Sequence, residues 1–166
     1  MDWETLVRED GPRVWQTAYR LLGNRADVED CFQETFVAAM EVSRRQEVRC
    51  WSALLTRIAT ARSIDRIRQR KRRRAVESPA EPEHIADFQP GPVQEAVASE
   101  LGESLRHALA ELPPRQAEVF CLRFLNNLSY EQIAAQMTLS TDAVGVLLHR
   151  ARARLKQLLT SVAHGK

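Results

Sequence analysis

The segment SYEQIAAQMTLSTDAVGVLLHRARARL, Ser129 to Leu155, has the pattern of a short helix and a longer basic helix joined by a tight turn. Ser129 is followed three residues later by Gln132, which is the pattern of a capping box at the start of a helix. Apolar residues continue from there to Met137, and residues 138–140 form the turn. This succession of elements is the signature of a helix-turn-helix.

The longer helix of this motif is expected to have one buried face and one exposed face. At about 100° per residue, one stripe is apolar: Val144, Leu148, Ala151 and Leu155. The residues that point away from it are Gly145, Val146, His149, Arg150 and Ala153. The side chains of this outer face are therefore small and apolar at the start of the helix and cationic further along it. No second ligand lies near His149, so a surface role is favoured over metal binding.

The rest of the chain predicts an all-helical protein of two small domains, because no strand alternation or hairpin dipeptide occurs between apolar runs. Residues 1–74 carry a net charge of +5, residues 75–104 of −7 and residues 105–166 of +4. Four of the seven prolines fall in the acidic stretch: Pro79, Pro82, Pro90 and Pro92. We therefore expect a helical bundle over 1–74, a flexible acidic linker over 75–100 and the helix-turn-helix domain over 101–166.

Composition excludes several classes of protein. The 166 residues are 44% hydrophobic and 28% charged, which suits a globular protein, and no apolar run approaches the roughly 20 residues that cross a bilayer. The acidic N-terminus MDWETLVRED is unlike a signal peptide, so we expect a cytoplasmic protein without membrane insertion. Three separated cysteines, Cys31, Cys50 and Cys121, indicate no disulfide framework or zinc module and are expected to be buried. No nucleophile, base and orienting residue lie near one another, so we expect no enzyme, cofactor or metal site.

An acidic ridge is expected on the second helix. Asp27, Asp30 and Glu34 are spaced at i, i+3 and i+7, with Glu29 slightly off that line. The ridge is interpreted either as a solvated face whose first acids favour the helix N-terminus or as a docking surface for a basic partner. A metal or general-acid site is less favoured, because no histidine lies near.

A basic helix follows, from about Val48 to Arg74. Arg62, Arg66 and Arg70 repeat every four residues and form a stripe, with Trp51 and the isoleucines on the opposite side. Nine of the 18 residues from 57 to 74 are cationic. A solvated basic face does not need so high a density of positive charge. Binding to a phosphate backbone would use it, because each cation that contacts a phosphate releases counterions.

Three segments in this order resemble the extracytoplasmic-function (ECF) group of bacterial RNA polymerase sigma factors, which belong to the sigma-70 family. DVEDCFQETF (27–36) is similar to the acidic docking motif of that family, and CWSALLTRIATARSIDRIRQR (50–70) to its minus-10 segment. LPPRQAEVFCLRFLNNLSYEQIAAQM (112–137), continued by the long basic helix, is similar to its minus-35 domain. The resemblance covers nearly the whole chain.

The resemblance implies a non-catalytic initiation subunit whose partners are core RNA polymerase, promoter DNA and an anti-sigma factor. The residues implied to dock on the beta-prime clamp helices of the polymerase are Asp27, Glu29, Asp30, Gln33 and Glu34. Those implied to bind the minus-10 element are Arg44, Arg45, Arg49, Trp51, Arg62, Arg66 and Arg70. Those assigned to the minus-35 element are Ser140, Thr141, Asp142, Val146, His149, Arg150, Arg152 and Arg154.

The chain departs from the family pattern at three places. Ala61 replaces a frequent asparagine, and the loop expected over residues 40–50 is short and lacks an aromatic residue. In the recognition helix, small or apolar residues replace the usual polar ones: Ala143, Gly145, Val146 and Leu147. These replacements motivate an alternative hypothesis, a sigma-like decoy that binds an anti-sigma factor or polymerase without reading promoters. A stand-alone helix-turn-helix repressor would not explain the acidic ridge.

Overall fold

The computed structural model describes residues 2–76 and 93–164, and this part of the chain contains helices and no strand. The helices are α1 (Trp3–Leu22), α2 (Arg25–Arg45), α3 (Trp51–Val76), α4 (Val93–Glu111), α5 (Pro114–Phe124), α6 (Tyr130–Met137) and α7 (Thr141–His164). The prediction of an all-helical protein is confirmed. We call α1–α3 the N-terminal unit and α4–α7 the C-terminal unit. Most of the expected acidic linker lies outside the described residues, and α4 begins at Val93, inside the range assigned to that linker.

Local capping sets the boundary between α1 and α2. Gly23 has φ 71° and ends α1 in the left-handed conformation that glycine adopts without steric cost. The Asn24 side chain then accepts a hydrogen bond from the Asp27 backbone N–H at 2.9 Å and caps α2. The Gly11-Pro12 pair in the sequence predicts that a helix restarts at this point, but α1 continues through Pro12. Buried residues on both sides of Pro12, Leu6 and Val14, hold the two halves on one core.

Two further expectations for the N-terminal unit are corrected. The loop expected over residues 40–50 is shorter, because α2 extends to Arg45 and only residues 46–50 connect it to α3. Cys50 lies in this connection and is exposed, since no helix covers it, whereas Cys31 and Cys121 are buried as expected. Burial raises the pKa of the Cys121 thiol to about 12, so that residue stays protonated and inert at neutral pH.

The helix-turn-helix is formed by α6 and α7, as the sequence predicts. Ser129 and Gln132 make both hydrogen bonds of the capping box, at 3.1 and 2.9 Å. Thr138 ends α6 with φ 55°, and the Ser140 side chain caps α7 by accepting from the Ala143 N–H at 3.1 Å. The apolar residues of PRQAEVFCLRFL predict that Phe124 shares a buried face of α5 with Val119 and Leu122, but Phe124 is 46% exposed. It is the last residue of that helix.

Three buried clusters hold the helices together. The first lies within the N-terminal unit and includes Leu6, Phe36, Leu54 and Leu55. The second lies within the C-terminal unit, between α5 and the helix-turn-helix: Val119, Leu122, Leu128, Ile133, Ala134, Met137, Val144 and Leu148. The third is shared by the two units: Ala18, Leu21, Leu22, Val28, Cys31, Ile64, Ile67, Ala108, Leu109, Ala110, Leu112, Ala117, Cys121, Ala151 and Leu155. The two units therefore pack directly against each other, an arrangement the sequence does not predict.

Glu118 of α5 gives stability an unusual pH dependence. Partial burial raises the pKa of its carboxyl, and Asp65 of α3 adds to the rise, against the lowering effects of Arg57 and Arg115. Because the folded protein holds this proton more tightly than the unfolded chain, the free energy of unfolding falls as pH rises from the ordinary glutamate pKa, about 4.3, through the raised value. Glu118→Gln is expected to increase the free energy of unfolding at pH 7.

Urea unfolding at pH 7 and near pH 4 measures this effect. The advantage of Glu118→Gln over the wild type should shrink at the lower pH, where Glu118 is protonated in both states. Glu41→Gln, an exposed change on α2, is the control and should have little effect at either pH. Equal stability of Glu118→Gln and wild type at both pH values would contradict the assignment.

Candidate polymerase and nucleic-acid interface

The acidic ridge of α2 and the basic stripe of α3 lie side by side and form ion pairs. Arg66 contacts Glu34 at 2.6 Å and Asp27 at 3.6 Å. Arg62 contacts Glu34 at 3.5 Å, and Arg70 pairs with Asp27. Residues that the sequence assigns to polymerase binding are thus in contact with residues that it assigns to DNA binding, along the line where α2 packs on α3.

The ridge has an inner and an outer edge. Asp27 and Glu34 form the inner edge and are engaged by the arginines of α3. The outer edge faces solvent: Glu29, Asp30 and Gln33. Asp30 is 65% exposed, and its contact with Arg66 is only at 4.0 Å. Glu29 pairs with Arg25 of the same helix at 3.1 Å, and both side chains remain exposed. The outer edge is therefore the more accessible part of the ridge.

The residues assigned to the minus-10 element differ in accessibility. Arg44, Arg45 and Arg49 are exposed at the end of α2 and in the connection to α3. Trp51 is half-buried and meets Trp3 edge-on, with 5.2 Å between ring centroids. Only part of its ring is thus available for stacking on a base.

Arg70 is the most constrained arginine of the stripe. Besides pairing with Asp27, it donates to the Leu22 carbonyl oxygen at 3.1 Å. Burial lowers its pKa, and the nearby charges of Arg74 and Arg106 act in the same direction. The guanidinium group stays charged, and the two contacts hold it in one orientation.

The exposed face of α7 lines a groove together with α5 and α6. Val146 is 49% exposed, and His149 and Arg150 are exposed beside it. Thr141 and Asp142 are exposed at the start of the helix, and Arg152 and Arg154 are exposed further along it. Of the eight residues assigned to the minus-35 element, Ser140 is the one whose side chain caps α7.

The sequence interpretation missed part of this groove. Arg123 lies over the Tyr130 ring at 5.3 Å, and Arg152 lies over the Phe124 ring at 5.5 Å. Both aromatic side chains are exposed, so these pairs form an accessible surface that combines aromatic and cationic groups. The signal available in the sequence was the pair of aromatic residues on either side of the turn after α5, Phe124 and Tyr130.

Among the described residues, no group of histidine, cysteine and acidic side chains is arranged to hold a metal ion. None of the described helices is long and apolar enough to span a membrane. The site consists instead of two charged helices and a helix-turn-helix groove.

Family comparisons agree with this combination of elements. Residues 6–73 match the family described as Sigma-70 region 2, and residues 102–155 match the family described as Sigma-70, region 4. The ECF RNA polymerase sigma factor SigF of Caulobacter vibrioides is 34% identical over 133 residues, which cover 80% of this chain and 70% of that protein. The chain therefore belongs to the ECF group of RNA polymerase sigma factors. This family is non-enzymatic, as the sequence predicts.

Other relatives are similar over more of the chain. SigE of Mycolicibacterium smegmatis, also an ECF RNA polymerase sigma factor, is 34% identical over 157 residues, and the match covers 95% of this chain and 61% of SigE. SigW of Bacillus subtilis is 28% identical over 165 residues, covering 89% of this chain and 83% of SigW.

Solved structures show the same fold. CnrH, in complex with the cytosolic domain of CnrY, has a TM-score of 0.61 and 26% identity, with 95% of this chain and 87% of CnrH covered. The sigma factor RpoE in complex with the anti-sigma factor NepR from Bartonella quintana has a TM-score of 0.57 and 23% identity, with 96% of this chain and 97% of that chain covered.

Proposed function

We propose that this chain directs promoter-specific transcription initiation by binding core RNA polymerase and the minus-10 and minus-35 promoter elements. The observation that carries the proposal is the presence, in one sigma-family chain, of an exposed acidic edge, a basic helix and a helix-turn-helix groove. A DNA-binding repressor would need only the last of these.

The outer edge of the α2 ridge is the proposed contact with the polymerase clamp helices. Glu29, Asp30 and Gln33 are exposed and present carboxylate and amide groups to a basic partner. Asp27 and Glu34 are assigned a second role, because their ion pairs orient the arginines of α3. Charge complementarity of this kind steers association and fixes orientation more than it adds raw affinity.

The basic helix α3 is the proposed contact with the minus-10 strand. Carboxylates partly neutralise Arg62, Arg66 and Arg70, so these side chains are held in place rather than free. Arg72, Arg73 and Arg74 are exposed further along α3 and add positive charge for phosphate contacts. The accessible part of Trp51 would meet unstacked bases, together with Arg44 and Arg45 at the end of α2 and Arg49 in the connection to α3.

The groove beside α7 is the proposed minus-35 contact. Val146 is assigned to apolar contact with a thymine methyl group, and Asp142 to a base-edge acceptor role. His149, Arg150, Arg152 and Arg154 are assigned to the phosphate backbone, which fixes position without reading sequence. Arg123 and Tyr130 would extend the same surface across the groove.

An anti-sigma factor is a further proposed partner. The sigma factor RpoE of Bartonella quintana was solved in complex with the anti-sigma factor NepR, and CnrH was solved in complex with the cytosolic domain of CnrY. We also propose that the chain acts in the cytoplasm, where polymerase and promoter DNA are found. The decoy hypothesis remains the second candidate, and the small apolar start of the exposed α7 face favours it.

Transcription in vitro with core polymerase and the DNA upstream of the chain's own gene separates these hypotheses. A sigma factor produces a specific transcript that depends on the added chain. A decoy binds polymerase in a pull-down but yields no specific transcript at any salt concentration. That result would contradict the proposed function.

Charge reversal on the outer edge of α2 tests polymerase docking. Asp30→Lys is expected to lower the affinity for core polymerase by roughly fivefold, mainly through a slower association rate. The effect should shrink at high salt, because exposed charges are screened. Competition between labelled and unlabelled chain for core polymerase measures it.

Glu9→Lys on α1 is the matched control, since it makes the same charge change at an exposed position away from α2. Both variants should keep wild-type helix content and melting behaviour. Equal competition by Asp30→Lys and wild type would count against the docking role.

Substitutions on α7 separate base reading from backbone contact. Arg150→Ala is expected to weaken transcription from all minus-35 variants alike and to reduce the slope of log affinity against log salt by about 1. Val146→Ala is expected to change the order of preference among minus-35 sequences and to leave the salt slope unchanged. Holoenzyme binding to a set of minus-35 variants at two salt concentrations measures both.

Both side chains are exposed, so neither substitution should unfold the protein. A changed sequence preference for Arg150→Ala combined with none for Val146→Ala would refute this division of roles.

A further inference from the structure

An arginine of α7 lies on an aromatic ring of α5. The guanidinium carbon of Arg152 is 5.5 Å from the centroid of the Phe124 ring and lies over that ring. This distance is within the roughly 6 Å over which a cation is attracted to the face of an aromatic ring. Arg152 is exposed and Phe124 is 46% exposed, so the pair lies at the surface of the C-terminal unit.

Packing within the fold holds both members of this pair in place. Phe120 lies four residues before Phe124, on the same side of α5, and the two ring centroids are 4.9 Å apart. Phe120 is half-buried and packs against the cluster shared by the two units. Ala151, the residue before Arg152, is buried in the same cluster. The ring and the backbone of the arginine are therefore both attached to rigid parts of the structure.

The ring orients Arg152 without neutralising it. On α3, the guanidinium groups of Arg62 and Arg66 are held by carboxylates of α2, which offset part of their charge. Among the ion pairs between described side chains, none includes an arginine of α7. An aromatic ring attracts a cation through its quadrupole and carries no net charge. Arg152 therefore keeps its full positive charge for an anionic partner.

The cleft beside the pair suits an anion. It has a volume of about 630 Å³, and its lining includes Phe124, Arg152, His149 and Lys156. No carboxylate is among the described residues that line it. A phosphate of the minus-35 backbone is the anion that the proposed function brings to this face of α7.

We propose that Phe124 is a positioning residue of the minus-35 contact, whose ring holds the Arg152 guanidinium in the direction of a backbone phosphate. The proposal rests on the proposed function. Because the ring restricts a long side chain before DNA arrives, it lowers the cost of ordering that side chain in the complex. Phe124 acts through Arg152 alone, so its effect on promoter binding disappears when Arg152 is absent.

A double-mutant cycle on promoter binding tests this dependence. Phe124→Leu removes the ring and keeps an apolar side chain, and it is expected to weaken holoenzyme binding to promoter DNA by roughly two- to fivefold. In the Arg152→Ala background the same substitution should have no effect, because the side chain that the ring positions is gone. Phe124→Tyr keeps the ring and should restore wild-type binding.

Arg150 provides the matched control for this cycle. It is exposed on the same helix, two residues before Arg152, and forms no aromatic pair within the described part of the chain. Phe124→Leu should therefore weaken binding by the same factor in the Arg150→Ala background as in the wild type. Equal weakening with and without Arg152 would overturn the proposal, because Phe124 would then contact DNA directly or act only on the fold.

Nuclear magnetic resonance of the free chain tests the pair without DNA. The side-chain Nε–H signals of Arg152 and Arg150 are assigned with Arg152→Lys and Arg150→Lys, each of which removes one signal. Phe124→Leu should shift the Arg152 signal, because the ring no longer lies beside it, and should leave the Arg150 signal in place. An Arg152 signal that does not move in Phe124→Leu would overturn the proposal.

The outcomes separate this proposal from the proposed function. A wild-type holoenzyme that makes a specific transcript, combined with no coupling between Phe124 and Arg152, would overturn the positioning role alone. A wild type that makes no specific transcript would contradict the proposed function and this proposal with it. Phe124→Leu should keep wild-type helix content, because the replaced side chain is half exposed, and Phe124→Met repeats the cycle with a second side chain that lacks a ring.

Discussion

The structure depends on the burial of α3 on more than one side. Leu54, Leu55 and Ala59 pack into the core of the N-terminal unit, while Ile64 and Ile67 pack into the shared cluster. Hydroxyl-bearing residues also lie inside, and their groups find partners: the Thr56 hydroxyl donates to the Ser52 carbonyl oxygen at 2.7 Å, and Ser63 lies 3.5 Å from the Cys31 sulfur. A helix that carries nine cations between Arg57 and Arg74 is thus held by its apolar and small polar residues.

The ion pairs between α2 and α3 hold the two helices together and also determine which of their charged groups remain exposed. Arg66 is only 22% exposed and engages carboxylates from three positions of α2. Charge-assisted contacts of this kind restrict rotamers, so the guanidinium group is presented in a defined direction. The same pairs reduce the net negative charge that α2 presents to solvent, which leaves the outer edge as the more accessible acidic part of the helix.

The sequence predicts those parts of the molecule that local interactions determine. The capping box at Ser129, the αL glycine at position 23 and the cap at Asn24 follow from residue type and spacing, and all are present. What could not be predicted depends on tertiary contact. The exposure of Phe124 and Cys50, the engagement of Arg66 and Arg70 by carboxylates, and the hydrogen bond between Thr17 and Asn126 each require knowledge of which helices meet. Local spacing alone carries no such information, because residues more than a hundred positions apart, such as Thr17 and Asn126, form the contact.

The recognition helix belongs to two cores along its length. Val144 and Leu148 pack within the helix-turn-helix, and Ala151 and Leu155 pack in the shared cluster, one or two turns further on. Its start is therefore supported by α5 and α6 of its own unit, whereas its second half packs among residues of both units. A substitution in the shared cluster that loosens Ala151 or Leu155 would leave the packing of Val144 and Leu148 in place. The two halves of one continuous helix thus have separate sources of stability.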